Sequence, residues 1–205
     1  MGRAPKLDDE AILDRAMLAF WRNGWTSTSI RDLERAVGMK APSLYRRFGN
    51  KEGLGVAVVD HYVERIVRRR VERLLPGTGD SLENVTEFLT RSVTESADGP
   101  GLWGCLLTTT AVEADRLDEP LTAALARGRA VIESALAHEV GRAGELGELR
   151  AGVEPAAATS MLMLVLQGLM AMARTGTSAS GLQQRARDSV SVLAARSASD
   201  GSRSP

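Results

Sequence analysis

SIRDLERAVGMKAPSLYRRF, residues 29–48, is the stretch whose reading decides the fold. It spells two short helices with a tight turn between them. Ile30 and Leu33 lie three apart, and Ala36 and Val37 follow at helical spacing, so one face of the first helix is apolar. Thr28 stands just before that run, where its hydroxyl is expected to accept from a free N–H of the first turn. Gly38 follows the last apolar position, where a left-handed residue ends a helix cheaply. Pro42 falls in the first turn of the second helix, where no N–H is needed. Leu44 and Phe48, four apart, face the core together. The outer face keeps Lys40, Ser43, Tyr45, Arg46 and Arg47. So short a helix, exposing two arginines, a tyrosine and a serine, buries little of itself. That face suits the major groove of DNA, with cations near phosphates and hydroxyls near phosphates or base edges.

Around this stretch the chain reads as helix throughout. Its 205 residues are enough for one large or two modest domains. Aromatics are only 4%, while Ala, Leu, Arg and Glu are abundant, which favours packed helices over sheet. The net charge of zero hides an asymmetry: residues 1–75 hold 15 Lys/Arg against 10 Asp/Glu, and residues 76–205 hold 11 against 16. A basic end and an acidic end are expected if only one end meets a polyanion.

A first helix is expected over residues 8–23, with Asp8, Asp9 and Glu10 where the helix dipole favours them and Gly24 ending it. Trp21 and Trp25 are expected in the core or at a domain junction. Residues 2–6 read either as a disordered tail or as a basic arm that lies along phosphates or reaches the minor groove. Asn50 caps a fourth helix, 51–75, whose apolar side carries Leu54, Val58, Tyr62, Ile66 and Leu74. Arg68, Arg69, Arg70 and Arg73 crowd its far end, expected as a solvated face or in domain-junction ion pairs, with a second DNA patch as the alternative. Pro76-Gly77-Thr78-Gly79 is the clearest boundary. Five more helices follow, at about 81–96, 102–115, 119–140, 154–174 and 182–195, with a break at 98–101, a glycine-rich turn over 141–152 and a disordered tail at 197–205.

The match extends beyond the helix-turn-helix. Gly24-Trp25, Thr28-Ser29-Ile30-Arg31-Asp32-Leu33, Val37-Gly38, Ser43-Leu44-Tyr45, Phe48, Asn50-Lys51-Glu52 and Leu54 resemble the amino-terminal domain of tetracycline-repressor (TetR) family regulators over about residues 8–60. The resemblance implies an all-α protein of about nine helices. A helix-turn-helix domain (1–50), a connecting helix (51–75) and an effector-binding and dimerisation domain (76–196) make it up. It implies a cytoplasmic repressor that binds a near-palindromic operator as a homodimer through its eighth and ninth helices. A small effector would release it. DNA contacts are then expected from Thr28, Ser29, Arg31 and Lys40, from Ala41, Pro42 and Ser43, and from Tyr45, Arg46, Arg47 and Lys51. Arg46 or Arg47 would read guanine, and Tyr45 and Lys51 would hold phosphate. Trp25 replaces the usual tyrosine or phenylalanine, Arg46 and Arg47 stand where histidine is common, and Pro42 stands where a small residue is common; these departures bear on the operator sequence.

Nothing points to an enzyme. His61 and His138 have no Cys or His neighbour at metal spacing, and there is no phosphate loop, nucleophile elbow or Ser-His-Asp set, so neither cofactor nor metal is expected. Residues 1–10 are too polar for a signal peptide. The most apolar segment, 156–173, is broken by Thr159, Ser160 and Gln167 and falls short of a span of roughly 20 apolar residues. Cys105 is the only cysteine, so no internal disulfide forms, which fits a reducing compartment. The stretch from Leu102 to Glu113 resembles a motif in a subset of the family, some of whose members sense electrophiles or oxidants through a cysteine. Cys105 would then lie in the first turn of the sixth helix, where a thiol ionises more readily; the alternative is a small buried apolar residue. Trp103, Cys105, Thr108, Thr109, Met163 and Gln167 are the candidate walls of a pocket for a small, largely apolar effector. A helical bundle that binds a small molecule and has no DNA function is the alternative from another class.

Overall fold

The computed structural model describes residues 8–95 and 103–195. The basic arm at 2–6, the break at 98–101 and the tail at 197–205 lie outside them. Nine helices form among the described residues, with no strand beyond an isolated bridge between Leu149 and Ala194. They are α1 (Asp9–Asn23), α2 (Ile30–Val37), α3 (Ala41–Phe48), α4, α5 (Ser81–Glu95), α6 (Leu106–Ala111), α7 (Glu119–Glu145), α8 (Pro155–Arg174) and α9 (Ala179–Ser191). Three pieces follow one another without a break in α4: Lys51–Tyr62, a π-helical stretch Val63–Arg68, and Arg69–Leu74.

The chain divides into two compact units, Met1–Arg68 with Cys105–Ala130, and Arg69–Gly104 with Val131–Pro205. This differs from a division after residue 75, because the segment from Cys105 belongs with the first unit. In that unit α1 packs on α2 and α4, α3 on α2 and α4, and α6 on α1 and α4. Ile12, Ala16, Leu33, Val37 and Leu44 are fully buried there. Each buried Leu or Ile contributes ~1.5–3 kcal/mol relative to leaving it in water.

In the second unit α9 packs on α5 and α8, around Val85, Leu89, Leu162, Leu182 and Ala186. The first N–H groups of α5 find a remote cap, since Ser81 and Leu82 donate to the Glu148 carboxylate. Arg70 and Arg73 pair with Glu95, and in the first unit Arg68 pairs with Glu64, so these pairs lie within one unit or the other.

Two expectations need correction. The turn expected over 141–152 is shorter: α7 runs on to Glu145, and only 146–152 turn. Gly141 and Gly144 each cost the helix ~1 kcal/mol, but Val140 and Ala143 are fully buried on its inner side. Arg142 is held by Glu139 and the Ser81 hydroxyl. The helix stops only where Glu148 N–H donates to Ala143 O and Gly147 N–H to Gly144 O, a Schellman closure. The sixth helix is also shorter than 102–115: α6 is a single turn and a half, followed by a 3-10 turn at Ala114–Arg116.

Joined into one helix, the interrupted apolar runs of α8 make the only described segment long and apolar enough to cross a membrane, at mean hydropathy 1.7. A core helix passes the same test, and Leu162, Leu166, Leu169 and Met170 lie inside the second unit.

Candidate nucleic-acid interface

The site begins with how α2 starts. Ser29, not Thr28, is its N-cap, and the cap is reciprocal. Asp32 N–H donates to the Ser29 hydroxyl, and Ser29 N–H donates to the Asp32 carboxylate at 2.9 Å. Hydrogen bonds from the Ser29 hydroxyl and N–H, then from Arg35, hold the Asp32 carboxyl at about 2. A carboxyl held low supports the fold above its ordinary value of 3.8 and loses that support as pH falls towards 2. Thr28 turns inward instead. It is fully buried, and its hydroxyl donates to the Gly24 carbonyl at 2.6 Å, so it leaves the set of DNA-contact candidates. Gly38 ends α2 at φ 76, the left-handed conformation its position asked for.

The start of α3 borrows a cap from α2: Ala41 N–H donates to the Glu34 carboxylate at 2.7 Å. Leu44 is fully buried and anchors the helix. Arg31, Lys40, Pro42 and Arg46 are exposed, and Ser43 and Tyr45 are half-covered. The two arginines part company here. Arg46 is exposed, whereas Arg47 donates to Asp9 on α1 at 2.6 Å and keeps only 22% of its side chain exposed. Asp9 is 68% exposed, so this pair is worth at most ~1 kcal/mol and a phosphate can compete for the guanidinium. Arg46 needs no such exchange.

Lys51 occupies the first position of α4, after Asn50, whose side-chain amide oxygen caps the helix by accepting from Gly53 N–H. Its ammonium donates to the Trp25 carbonyl at 2.8 Å and lies 4.6 Å from the centre of the Trp25 ring. Burial draws its pKa below the usual lysine value, against the opposing pull of Glu52 and Glu113. One proton is spent on Trp25, which leaves two for another acceptor. Trp25 stacks on Phe20 with ring centres 4.9 Å apart and lies against Gly55 of α4, where a Cβ would come within 2.5 Å of the ring. Both Trp25 and Trp21 are core residues.

One contributor went unread. Glu113, just past α6, accepts from Trp25 N–H at 2.9 Å and Thr26 N–H at 2.8 Å, closing a gap of 88 residues. Burial pushes its carboxyl up, and hydrogen bonds from Thr26 and Trp25 with the charge of Arg116 outweigh that and leave it below the usual range. No local pattern announces such a partner.

The candidate effector residues divide between the units. Cys105, Thr108 and Thr109 belong to the first; Trp103, Met163 and Gln167 belong to the second. Cys105 is the N-cap of α6, not a residue of its first turn, and is half-covered, with the Tyr62 hydroxyl 3.5 Å from its sulfur. The Thr109 hydroxyl is buried and donates to Leu106 O. Thr108, Trp103 and Gln167 are half-covered, and Met163 is buried.

A capped pair of short helices with a cationic outer face, propped by α1 and α4, defines a helix-turn-helix DNA-binding regulator. Comparison with known proteins says which kind. Residues 12–58 match the profile described as "Bacterial regulatory proteins, tetR family", and residues 81–189 match "Tetracyclin repressor-like, C-terminal domain". The chain is 30% identical over 190 residues to the HTH-type transcriptional repressor ComR of Escherichia coli, covering 89% of this chain and 87% of that protein. A cysteine-substituted CifR, a TetR family regulator complexed with 26-base-pair operator DNA, superposes with a TM-score of 0.79 at 27% identity, over 93% of this chain and 98% of CifR. Reduced NemR of Escherichia coli has the same fold, with a TM-score of 0.80 at 21% identity over 92% and 97% of the two chains. The chain belongs to the tetR family of bacterial regulatory proteins and is a DNA-binding transcriptional regulator.

Proposed function

We propose that the protein is a cytoplasmic repressor without catalytic activity, which binds a near-palindromic operator as a homodimer and leaves it when a small effector binds. The outer face of α3 carries the reading: Arg46 is exposed on a helix anchored by buried Leu44. In the complex α3 enters the major groove. Arg46 reads guanine, Tyr45 and Lys51 hold phosphates, and Arg31, Lys40, Ser43 and Arg47 flank them. Two-fold symmetry sets the half-sites roughly 34–36 Å apart. The description of ComR as a repressor and the operator DNA bound to CifR support duplex DNA as partner and repression as outcome.

Dimerisation draws support from α8. Ala157, Leu164, Gly168 and Ala171 are exposed at helical spacing, and Leu164 keeps 70% of its surface in water. An apolar stripe of this kind calls for a partner helix. On α9, helix-flanking Val192 is 51% exposed. Trp103, Cys105, Thr108, Thr109, Met163 and Gln167 remain the proposed effector contacts, and the effector acts only through unequal affinity for the bound and released states.

Selection of bound duplexes from a random pool tests the reading, and a near-palindrome is expected. Against the selected sequence, Arg46→Ala should cost about 1–3 kcal/mol and relax preference at one base pair per half-site. Lys51→Ala should instead weaken all sequences alike and flatten the salt slope by about one. If Arg46→Ala binds every sequence as the parent does, readout lies elsewhere.

A further inference from the structure

The peptide group joining Trp25 to Thr26 is bonded at both ends. Its N–H donates to the Glu113 carboxylate at 2.8 Å, and its carbonyl accepts from the Lys51 ammonium at 2.8 Å. A trans peptide points these groups in opposite directions, so an anion, a peptide dipole and a cation stand in series. Each bond polarises the next, so the carboxylate strengthens the carbonyl's hold on the ammonium. A second bond, from Trp25 N–H at 2.9 Å, fixes the carboxylate against the turn. Gly24 makes the approach possible: at φ 88 it takes a conformation a side chain disfavours, and a Cβ there would come within 3.0 Å of Glu113 Oε1.

We propose that Glu113 is a positioning residue for DNA binding: it fixes the Trp25–Thr26 peptide, and through it the Lys51 ammonium, at the DNA backbone. The inference rests on the phosphate role of Lys51 proposed above. It gives a residue outside the helix-turn-helix a share in operator affinity and ties the cation to the segment that begins at Cys105. A charge argument alone predicts the opposite sign, since removing an anion near a polyanion should tighten binding.

The test is a double-mutant cycle between Glu113→Gln and Lys51→Ala. Affinity for the selected operator and for a random duplex is measured across salt concentrations, with helical melting of each variant as the control for folding. Glu113→Gln is expected to weaken binding to both duplexes roughly tenfold and to flatten the salt slope by about one. In the Lys51→Ala background the same change should alter affinity less than about twofold. Unchanged or tighter binding by Glu113→Gln, or an equal loss in both backgrounds, overturns the proposal. If Lys51→Ala binds like the parent, the phosphate reading of Lys51 fails instead, a result the cycle reports separately. Should Glu113→Gln melt early, Glu113→Asp, which keeps the charge on a shorter arm, enters the same cycle with the same criteria.

Discussion

Trp25→Ala is expected to cost the first unit about 3–5 kcal/mol, the range for truncating a buried tryptophan whose surroundings cannot collapse. The ring is 5% exposed, stacked on Phe20, and fitted against the bare backbone of Gly55. Gly55 cannot move in to fill the space, because it is fixed inside α4. The Lys51 ammonium loses the ring beneath it as well, a contact worth ~0.5–2 kcal/mol depending on how far it is shielded from water. Denaturant unfolding followed by circular dichroism measures the cost. A loss under about 1 kcal/mol would show that the α1–α2 turn is not packed around this ring. Because the ring also anchors the turn whose backbone carbonyl holds Lys51, DNA affinity should fall further than the folded fraction alone explains.

Gly104→Ala should destabilise the second unit by about 2–4 kcal/mol, from two costs that add. At φ 73 the residue is left-handed, which strains an alanine by ~1 kcal/mol or more. The new Cβ would also stand 2.6 Å from the carbonyl oxygen of Met170 on α8, a backbone atom that cannot rotate away. Gly176→Ala separates the two costs. Gly176 is left-handed too, at φ 88, but a Cβ there meets nothing within 4 Å. It should lose only the strain, so the difference between the two variants in denaturant midpoint reports the collision. Equal losses would mean that the loop before Cys105 yields and does not lie hard against α8.

Most of the helix-turn-helix domain was readable from local pattern because its decisive interactions are local. The apolar spacing of Ile12, Ala16 and Phe20, the glycine after α2, the proline in α3 and the Asn50 cap all act within three or four residues. The misread cap was nevertheless local: only Ser29 has a carboxylate three residues on, Asp32, to return its hydrogen bond, whereas Thr28 is followed at that spacing by Arg31 and turns inward to Gly24. Gly141 and Gly144 misled for a different reason. Their intrinsic cost is visible in the residue type, but the burial of Val140 and Ala143 that outweighs it is not.

Helix order and the cationic face of α3 follow from residue order alone, since periodicity and caps are properties of neighbours along the chain, and the family follows from the resemblance of residues 8–60 to its amino-terminal domain. Folding in three dimensions settled the rest: that Arg47 is tied to Asp9 while Arg46 stays exposed, and that Glu113 meets Trp25 across 88 residues. Those pairings join groups that are distant along the backbone and carry no periodic signal. They exist only once burial of the first unit's apolar core has brought their backbones together.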